Sequence, residues 1–262
     1  MTPRRSILAL ALAALPAAGF AQQDASDLAK QLSNPVSSLI SVPFQYNYNE
    51  GYGPNDDGHQ SLLNIQPVIP ISISENWNLI SRTIIPVIHQ DDVIPGQSQS
   101  GFGDTTQSFF FSPKLPTSGG LIWGVGPAFL LPTGTDGLGA NQWAAGLTGV
   151  ALVQKGPWTY GALANHLWDV GDGDTEISNS FFQPFLSYTT ADAWSFTVNS
   201  ETSYNWETNW ASVPLNFMVA KVTRIGKQPI SIQGGVRYWV DAPDNGPEGW
   251  GARLNVTFLF PK

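Results

Sequence analysis

The chain has 262 residues, of which 12% are Asp, Glu, Lys or Arg, with ten Trp, no Cys and a net charge of −8. Soluble domains usually carry about a quarter charged residues, so this composition favours a protein that faces lipid. The negative charge argues against a nucleic-acid partner, which would need a basic face. Prolines, glycines and polar residues interrupt the apolar stretches of the mature chain, so none of them predicts a transmembrane helix.

Residues 1–21 have the pattern of a cleaved signal peptide. Arg4 and Arg5 form a positive region, residues 7–15 form a short apolar stretch, and a small residue, Ala21, completes the cleavage site. We therefore predict cleavage before Gln22 and export from the cytoplasm. A membrane anchor would need roughly twenty apolar residues in place of this short stretch.

One helix is predicted in the mature chain, within residues 22–34. Leu28 and Leu32 lie four residues apart and share one face, Asp24 or Ser26 can cap the start, and an Asn-Pro pair ends the pattern. We assign residues 22–38 to this helix and its lead-in. As a hypothesis, the segment enters the barrel described next and acts as a plug that narrows it.

From residue 39 onward the apolar pattern has a period of two. Near the C-terminus, for example, Trp250 and Leu254 alternate with Arg253 and Asn255, which gives each segment one apolar and one polar face. The sequence therefore predicts an all-β fold, a transmembrane antiparallel up-and-down β-barrel over residues 39–262. About twelve strands are predicted, near residues 39–49, 60–73, 77–89, 102–113, 121–131, 142–154, 158–168, 176–189, 194–206, 210–223, 229–240 and 249–260.

The connections between these segments alternate in length and charge. The acidic residues concentrate in the longer connections, and most lysines lie beside the short ones. Short periplasmic turns, long outer loops and an even strand number are typical of outer-membrane barrels. A soluble periplasmic β-sandwich is the alternative fold, but it has no reason to separate the charges by end. The longer connections are predicted at residues 50–59, 90–101, 132–141, 169–175 and 241–248.

The aromatic residues cluster at the two ends of the predicted strands. Such rings settle at the level of the lipid headgroups, so we predict two aromatic girdles. The set beside the short turns is Trp77, Trp158, Tyr188 and Trp194. The set beside the outer loops is Tyr46, Tyr48, Trp143, Trp168, Tyr204, Trp206, Trp210, Trp239 and Trp250.

Five segments spread over nearly all of the mature chain carry a family resemblance: residues 27–48, 64–70, 101–104, 183–188 and 258–262. The first reads DLAKQLSNPVSSLISVPFQYNY, and the last is the ending FLFPK. Together they resemble the phenol-degradation (MetA-pathway) outer-membrane protein family, whose members are often labelled "transporter". The resemblance implies a membrane barrel that admits aromatic or other small compounds.

The expected partners follow from this location. They are outer-membrane lipid, lipopolysaccharide and the barrel-assembly machinery, which reads an aromatic at the end of the last strand. Phe258 and Phe260 are the candidates for that signal, although Pro261 and Lys262 follow them. The resembled family shares this ending, so we interpret it as a variant of the signal. No cofactor is expected.

Polar residues on the inward rows are the candidate site. Arg237 and Arg253 belong to neighbouring strands, and Asp104 and Glu201 could pair with them or with Arg82 across the lumen. One interpretation is a constriction that selects solutes by hydrogen bonds and charge. The other is a structural network that fills a narrow barrel. The lumen candidates are Arg82, Asp104, Asn199, Glu201, Arg237 and Arg253.

Catalytic and metal-binding patterns are weak, so we predict neither an enzyme nor a metal site. His59, His89 and His166 lie near the outer end, where serines could stand beside them. The run at residues 96–101 is not a nucleophile elbow, because no glycine comes two residues after its serines in the required pattern and no helix follows. We expect a flexible loop there. The acidic run 169–176 lacks calcium-loop spacing, so a solvated loop is favoured over a weak calcium site.

The predicted function is an outer-membrane channel or transporter for passive uptake of small molecules, including aromatic or hydrophobic compounds. Two alternatives stay open. One is a closed structural or adhesive barrel that binds a partner through its acidic outer loops. The lesser one is a barrel that hydrolyses lipid, for which His89 would be the residue to test.

Overall fold

The computed structural model describes residues 15–173 and 175–261, which form one helix and twelve antiparallel strands. Three strands are interrupted once and are given in two parts. The elements are α1 (Leu15–Leu32), β1 (Ile40–Tyr52), β2 (Gly58–Ile65 and Val68–Ser72), β3 (Trp77–Asp91), β4 (Ser98–Phe102 and Thr105–Pro113), β5 (Leu121–Leu131), β6 (Ala144–Lys155), β7 (Trp158–Asp169), β8 (Ser178–Thr189), β9 (Trp194–Ser200 and Thr202–Asn205), β10 (Trp210–Ile225), β11 (Gln228–Asp241) and β12 (Gly249–Phe260).

The sheet closes on itself, because β1 pairs with β12 as well as with β2. The closing register runs from Ile40 opposite Phe260 to Tyr48 opposite Ala252. Closure pairs the first strand with the last, so the membrane-spanning sheet has no free end strand, which lipid requires of any β structure that spans it. The predicted barrel and its twelve strands are confirmed. No helix in the described part of the chain is long and apolar enough to cross a membrane.

Side chains alternate between the lipid-facing wall and the lumen as the period of two predicts. In β9, Phe196 and Val198 are exposed on the outside, whereas Ser195 and Asn199 are buried inside. Exposed tryptophans mark both ends of the wall. Trp239 is an exception, and its place in the outer girdle was predicted wrongly. It has the same parity as the buried Arg237 and therefore faces the lumen.

Prolines interrupt the strand ladders, since each one lacks the N–H that a ladder bond needs. In β2, the break at residues 66–67 contains Pro67 and lies level with Pro43 of β1. In β4, the break at residues 103–104 lies opposite Pro86, where three residues of β4 face two of β3 and form a bulge. Irregularities of the ladder therefore accompany Pro67 and Pro86, whereas the register runs unbroken through Pro70 and Pro127.

The helix α1 enters the end of the barrel that carries the short turns. Leu28 and Ala29 are buried there in one apolar cluster with Leu39, Ala193, Val222 and Leu259. Ser26 Oγ also donates to Thr190 O at 3.3 Å. The predicted helix is present, but it begins at Leu15 and not near Gln22. Residues 1–14 of the predicted signal peptide lie outside the described residues, and cleavage stays a prediction.

The lead-in after α1 continues into the lumen. Val36 is buried against inward-facing apolar side chains of β3, β4, β6 and β7, namely Ile80, Phe110, Val150, Leu152 and Leu163. One side of the lumen is therefore apolar. The opposite side, formed by β9 to β12 and β1, carries the polar candidates.

Candidate functional site in the lumen

A single carboxylate in the lumen binds two arginines from neighbouring strands. Glu201 Oε2 accepts from Arg237 Nη2 at 2.5 Å and from Arg253 Nη2 at 2.7 Å. Arg253 Nη1 also donates to Glu201 Oε1 at 2.8 Å, so this pair is bidentate. Both arginines are buried, with 6% and 4% of their surface exposed. Three of the predicted residues therefore form one charged cluster.

Asparagines hold the arginine side chains from the wall. Arg237 Nε donates to Asn216 Oδ1 at 2.8 Å, and Asn216 Nδ2 donates to Asn199 Oδ1 at 2.8 Å. Arg253 Nε donates to Asn47 Oδ1 at 2.7 Å. Each guanidinium is thus fixed both by Glu201 and by an amide, which limits the geometries that it can adopt. The alternation of Asn47 and Asn216 with apolar neighbours indicates that they face inward, but nothing in the sequence marks them as arginine partners.

The position of Glu201 follows from the local sequence. The registers on both sides of β9 place it level with Pro214 of β10 and next to the level of Pro184 of β8. Pro214 offers no N–H to the ladder, and β9 is interrupted at Glu201. The carboxylate projects from this break into the barrel. Alternation with the buried Ser195 and Asn199 therefore explains why the charge lies inside, and Pro214 explains the break in the ladder at this position.

Arg82 lines the same cavity from β3 and makes the lumen positive. Its Nη2 donates to Gln66 Oε1 at 3.1 Å, so the hydrogen-bond partner of this guanidinium is a neutral amide. The cluster therefore contains three guanidinium groups and one carboxylate. Its formal charge is +2, in a chain whose net charge is −8.

Asp104 does not join this cluster, so its predicted pairing with an arginine is wrong. Its Oδ1 accepts from Gly134 N at 2.8 Å and its Oδ2 accepts from Asn141 N at 3.1 Å. The bulge in β4 brings the carboxylate close to the 132–141 loop, and a buried carboxylate is stabilised by two backbone N–H groups. Asp104 therefore anchors an outer loop at the barrel mouth.

A cavity of about 250 Å³ lies between the charged cluster and the N-terminal segment. Arg82, Glu201 and Arg253 line one part of it, and residues 33–35 and 37 of the lead-in close another part. Polar side chains such as Gln45, Gln183 and Gln233 contribute, together with apolar groups including Leu163, Phe185 and Met218. The cavity therefore offers charge, hydrogen bonds and apolar contact to a single small solute.

The outer end of the lumen carries a second polar layer. Trp239 Nε1 donates to Asn49 Oδ1 at 3.3 Å. Gln60 Nε2 donates to Gln90 Oε1 at 3.0 Å, and Gln90 Nε2 donates to Gln99 Oε1 at 2.8 Å. Sequence analysis missed these residues, although glutamines of one parity on neighbouring strands were a usable signal.

The acidic outer loops do not form a metal site in the described residues, where no group of three or more His, Cys, Asp or Glu side chains has a suitable arrangement. Burial and the neighbouring Glu176 and Asp169 raise the pKa of Glu207 above its ordinary value. Asp174, which belongs to the suggested calcium run, lies outside the described residues. A solvated acidic loop stays the simpler interpretation.

No family model matches the sequence, and neither does any curated protein. By structure, the chain is similar to an outer-membrane channel from Pseudomonas putida F1, with 15% identity, a TM-score of 0.66, and coverage of 85% of this chain and 96% of that chain. Outer membrane phospholipase A from Escherichia coli matches at 11% identity and a TM-score of 0.49, with coverage of 86% of this chain and 99% of that chain. The beta domain of the Bordetella autotransporter BrkA matches at 8% identity and a TM-score of 0.48, with coverage of 86% of this chain and 100% of that chain.

At these sequence identities the similarity concerns the fold alone. The two matches with TM-scores below 0.5 are too weak to support a conclusion. The first match has the same closed architecture over nearly its whole length. A closed twelve-stranded barrel with an apolar outer wall is typical of proteins that span a lipid bilayer. The protein is therefore an outer-membrane β-barrel, and its location is the bacterial outer membrane.

Proposed function

We propose that the protein is a channel for passive uptake of small molecules across the outer membrane. The observation that carries this proposal is the lumen cavity of about 250 Å³, which is lined by charged and hydrogen-bonding side chains. A barrel that served only as a scaffold would gain stability from apolar packing, because buried ion pairs contribute little net stability. A polar cavity on the axis of the barrel suits a solute that enters and leaves.

The charge and shape of the cavity favour a small organic anion. Three arginines and one carboxylate give the cavity a positive potential, and an anion within about 6 Å of one unpaired charge gains roughly 1.4 kcal/mol at an effective dielectric constant of about 40. Leu163 and Phe185 present apolar surface to the same space. An aromatic or hydrophobic body that carries a negative group would use both features. The resemblance to the phenol-degradation family agrees with an aromatic solute.

The N-terminal segment is proposed to act as a plug. Leu28, Ala29 and Val36 bury apolar surface in the periplasmic half of the barrel, and Gln154 Nε2 donates to Lys30 O at 2.8 Å. A few apolar side chains and single hydrogen bonds hold the segment, whereas a ladder of backbone bonds holds each strand. It can therefore leave the mouth at much lower cost than any strand.

Planar-bilayer recordings of the refolded mature chain test this function. Under bi-ionic conditions, benzenesulfonate and phenyltrimethylammonium compare two permanent charges of opposite sign on similar aromatic bodies. We expect discrete conductance steps and a preference for benzenesulfonate of roughly a hundredfold, because the anion gains about 1.4 kcal/mol where the cation loses about the same amount. Heat-modifiable migration on a gel controls for folding. A folded barrel without conductance would contradict the proposal and favour the closed structural or adhesive barrel.

A further inference from the structure

A serine, a histidine and an aspartate are aligned on the lipid-facing wall, away from the lumen. Ser100 Oγ lies 2.7 Å from His89 Nδ1, and His89 Nε2 lies 3.0 Å from Asp91 Oδ2. We propose that these residues form a hydrolytic site for acyl esters of outer-leaflet amphiphiles. This activity goes beyond the proposed channel and is independent of it.

The hydrogen bonds select the tautomer that the chemistry needs. A carboxylate only accepts hydrogen bonds, so the contact with Asp91 places the imidazole proton on Nε2. Nδ1 then keeps its lone pair and accepts the hydroxyl proton of Ser100. This arrangement has the roles of a nucleophile, a general base and a group that orients the base. His59 Nε2, at 3.3 Å from the same Asp91 oxygen, helps to position the carboxylate.

The bulge in β4 brings the three residues together. On the N-terminal side of the bulge, Ser100 lies directly opposite His89. Asp91 follows His89 by two residues on the same face of β3. On the C-terminal side of the bulge, Thr106 pairs with Ile84. If this register continued without a bulge, Ser100 would lie opposite Gln90, which faces the lumen. One extra residue in a strand moves the side chains on one side of the bulge to the opposite face of the sheet. The bulge therefore turns Ser100 outward.

An apolar groove of about 370 Å³ lies beside this group on the outer wall. Tyr46, Leu63, Val87 and Phe102 line it, and Ser100 and His89 belong to the same groove. The aromatic girdle and the outer loops lie at this end of the barrel, so the ester region of an outer-leaflet lipid is at the same height. The groove is therefore suited to an acyl chain whose ester reaches Ser100.

The backbone of Ser100 provides a hydrogen-bond donor at the open edge of β4. Phe102 N donates to Thr135 Oγ1 at 3.1 Å, and Gly103 N donates to Pro86 O of β3 at 3.0 Å. N–H groups point to opposite sides on successive residues, so the N–H of Ser100 points to the same side as that of Phe102. In the part of the chain that the structure describes, β5 pairs with β4 only over residues 105–111 and not over residues 98–102. This N–H can therefore stabilise negative charge on an ester oxygen.

The reaction balances without another reactant than water. Ser100 Oγ attacks the ester carbonyl carbon, and His89 Nδ1 takes the hydroxyl proton. The alcohol part leaves with that proton, and the acyl group stays on Ser100 as an ester. Water then attacks this ester, its proton returns through His89 to Ser100 Oγ, and a carboxylic acid leaves. One ester and one water give one acid and one alcohol, with no change of oxidation state.

The chain offers a matched control on the same wall. His166 Nδ1 also lies 2.7 Å from a serine oxygen, that of Ser180. However, His166 Nε2 is buried without a hydrogen-bond partner, and Trp206 Nε1 donates to the Ser180 oxygen at 2.9 Å. This pair lacks the acid that orients the base, so we expect it to be inactive. A short Ser–His distance is therefore not sufficient for the proposed site, which also needs the carboxylate of Asp91.

The test measures fatty-acid release by mass spectrometry from mixed micelles of dioleoyl phosphatidylethanolamine and, separately, of lipopolysaccharide. Oleic acid in the first arm and 3-hydroxy or acyloxy-linked acids in the second distinguish the two ester sources. We expect release in at least one arm. Ser100→Ala and His89→Ala should each lower the rate by about a hundredfold or more, and Ser180→Ala should leave it unchanged. Heat-modifiable gel migration confirms that each variant is folded.

A second measurement addresses the nucleophile directly. An alkyl fluorophosphonate should phosphonylate Ser100 with loss of fluoride, and peptide mapping should locate the label there in the wild-type chain and in Ser180→Ala. Labelling should disappear in His89→Ala. Wild-type chain that releases no acid in either arm, or Ser100→Ala that keeps the wild-type rate, would overturn the proposal.

Discussion

Replacing Glu201 by Gln is the sharpest test of the lumen cluster. The change keeps the shape of the side chain and removes the carboxylate that binds both Arg237 and Arg253. The formal charge of the cluster rises from +2 to +3. At about 6 Å and an effective dielectric constant of about 40, one added charge changes the free energy of a passing ion by roughly 1.4 kcal/mol, which is about tenfold for a monovalent anion. Anion preference should therefore increase.

The same substitution should lower stability. Both arginines are at most 6% exposed, and losing the charge partner of a buried ion typically costs about 3–5 kcal/mol. The retained amide still accepts a hydrogen bond, so we expect a cost near 3 kcal/mol. The assay combines the reversal potential in a KCl gradient with the urea midpoint of the heat-modifiable gel band. Asp104→Asn is the control, because Asp104 binds loop backbone and should leave the reversal potential unchanged. An unchanged reversal potential in Glu201→Gln would refute the electrostatic argument.

Three further outcomes are expected. Deleting residues 22–34 should raise single-channel conductance, because α1 occupies the periplasmic mouth; equal conductance would show that it does not restrict the path. Phe110→Ala should lower the free energy of unfolding by about 3–5 kcal/mol, since Phe110 is fully buried, whereas the outward-facing Phe111→Ala should cost clearly less in the same urea titration. Asp104→Ala should make the 132–141 loop more sensitive to protease on intact cells, and a cleavage rate equal to wild type would contradict its anchoring role.

The strands could be predicted because one wall faces lipid throughout. Every second residue there must be apolar or aromatic, so the sequence of β12, for example, carries a regular period of two over Gly249–Phe260. The start of β4 was harder. Residues 98–102 are polar and glycine-containing, and they resemble a loop, yet they pair with β3. Backbone pairing with a neighbour, not an apolar face, makes this segment a strand.

The candidate site could be predicted in part. Alternation placed Arg237, Arg253 and Glu201 inside, and opposite charges in a narrow lumen predict contact. The same reasoning was wrong for Asp104, because the nearest donors to its carboxylate are the backbone N–H groups of Gly134 and Asn141. Which loop folds back to a given strand end is a long-range property that periodicity does not contain.

The sequence by itself determined the barrel, its strand number and the facing of most side chains, since these follow from the local period and from the requirement that lipid imposes on every backbone group. Only the tertiary structure decided the contacts across strands. The bulge at residues 103–104 moves Ser100 from the lumen to the lipid-facing wall, and Glu201 meets two arginines far away in the chain. Both results depend on a register shift or on barrel closure, and a one-residue difference in register reverses which face a side chain occupies.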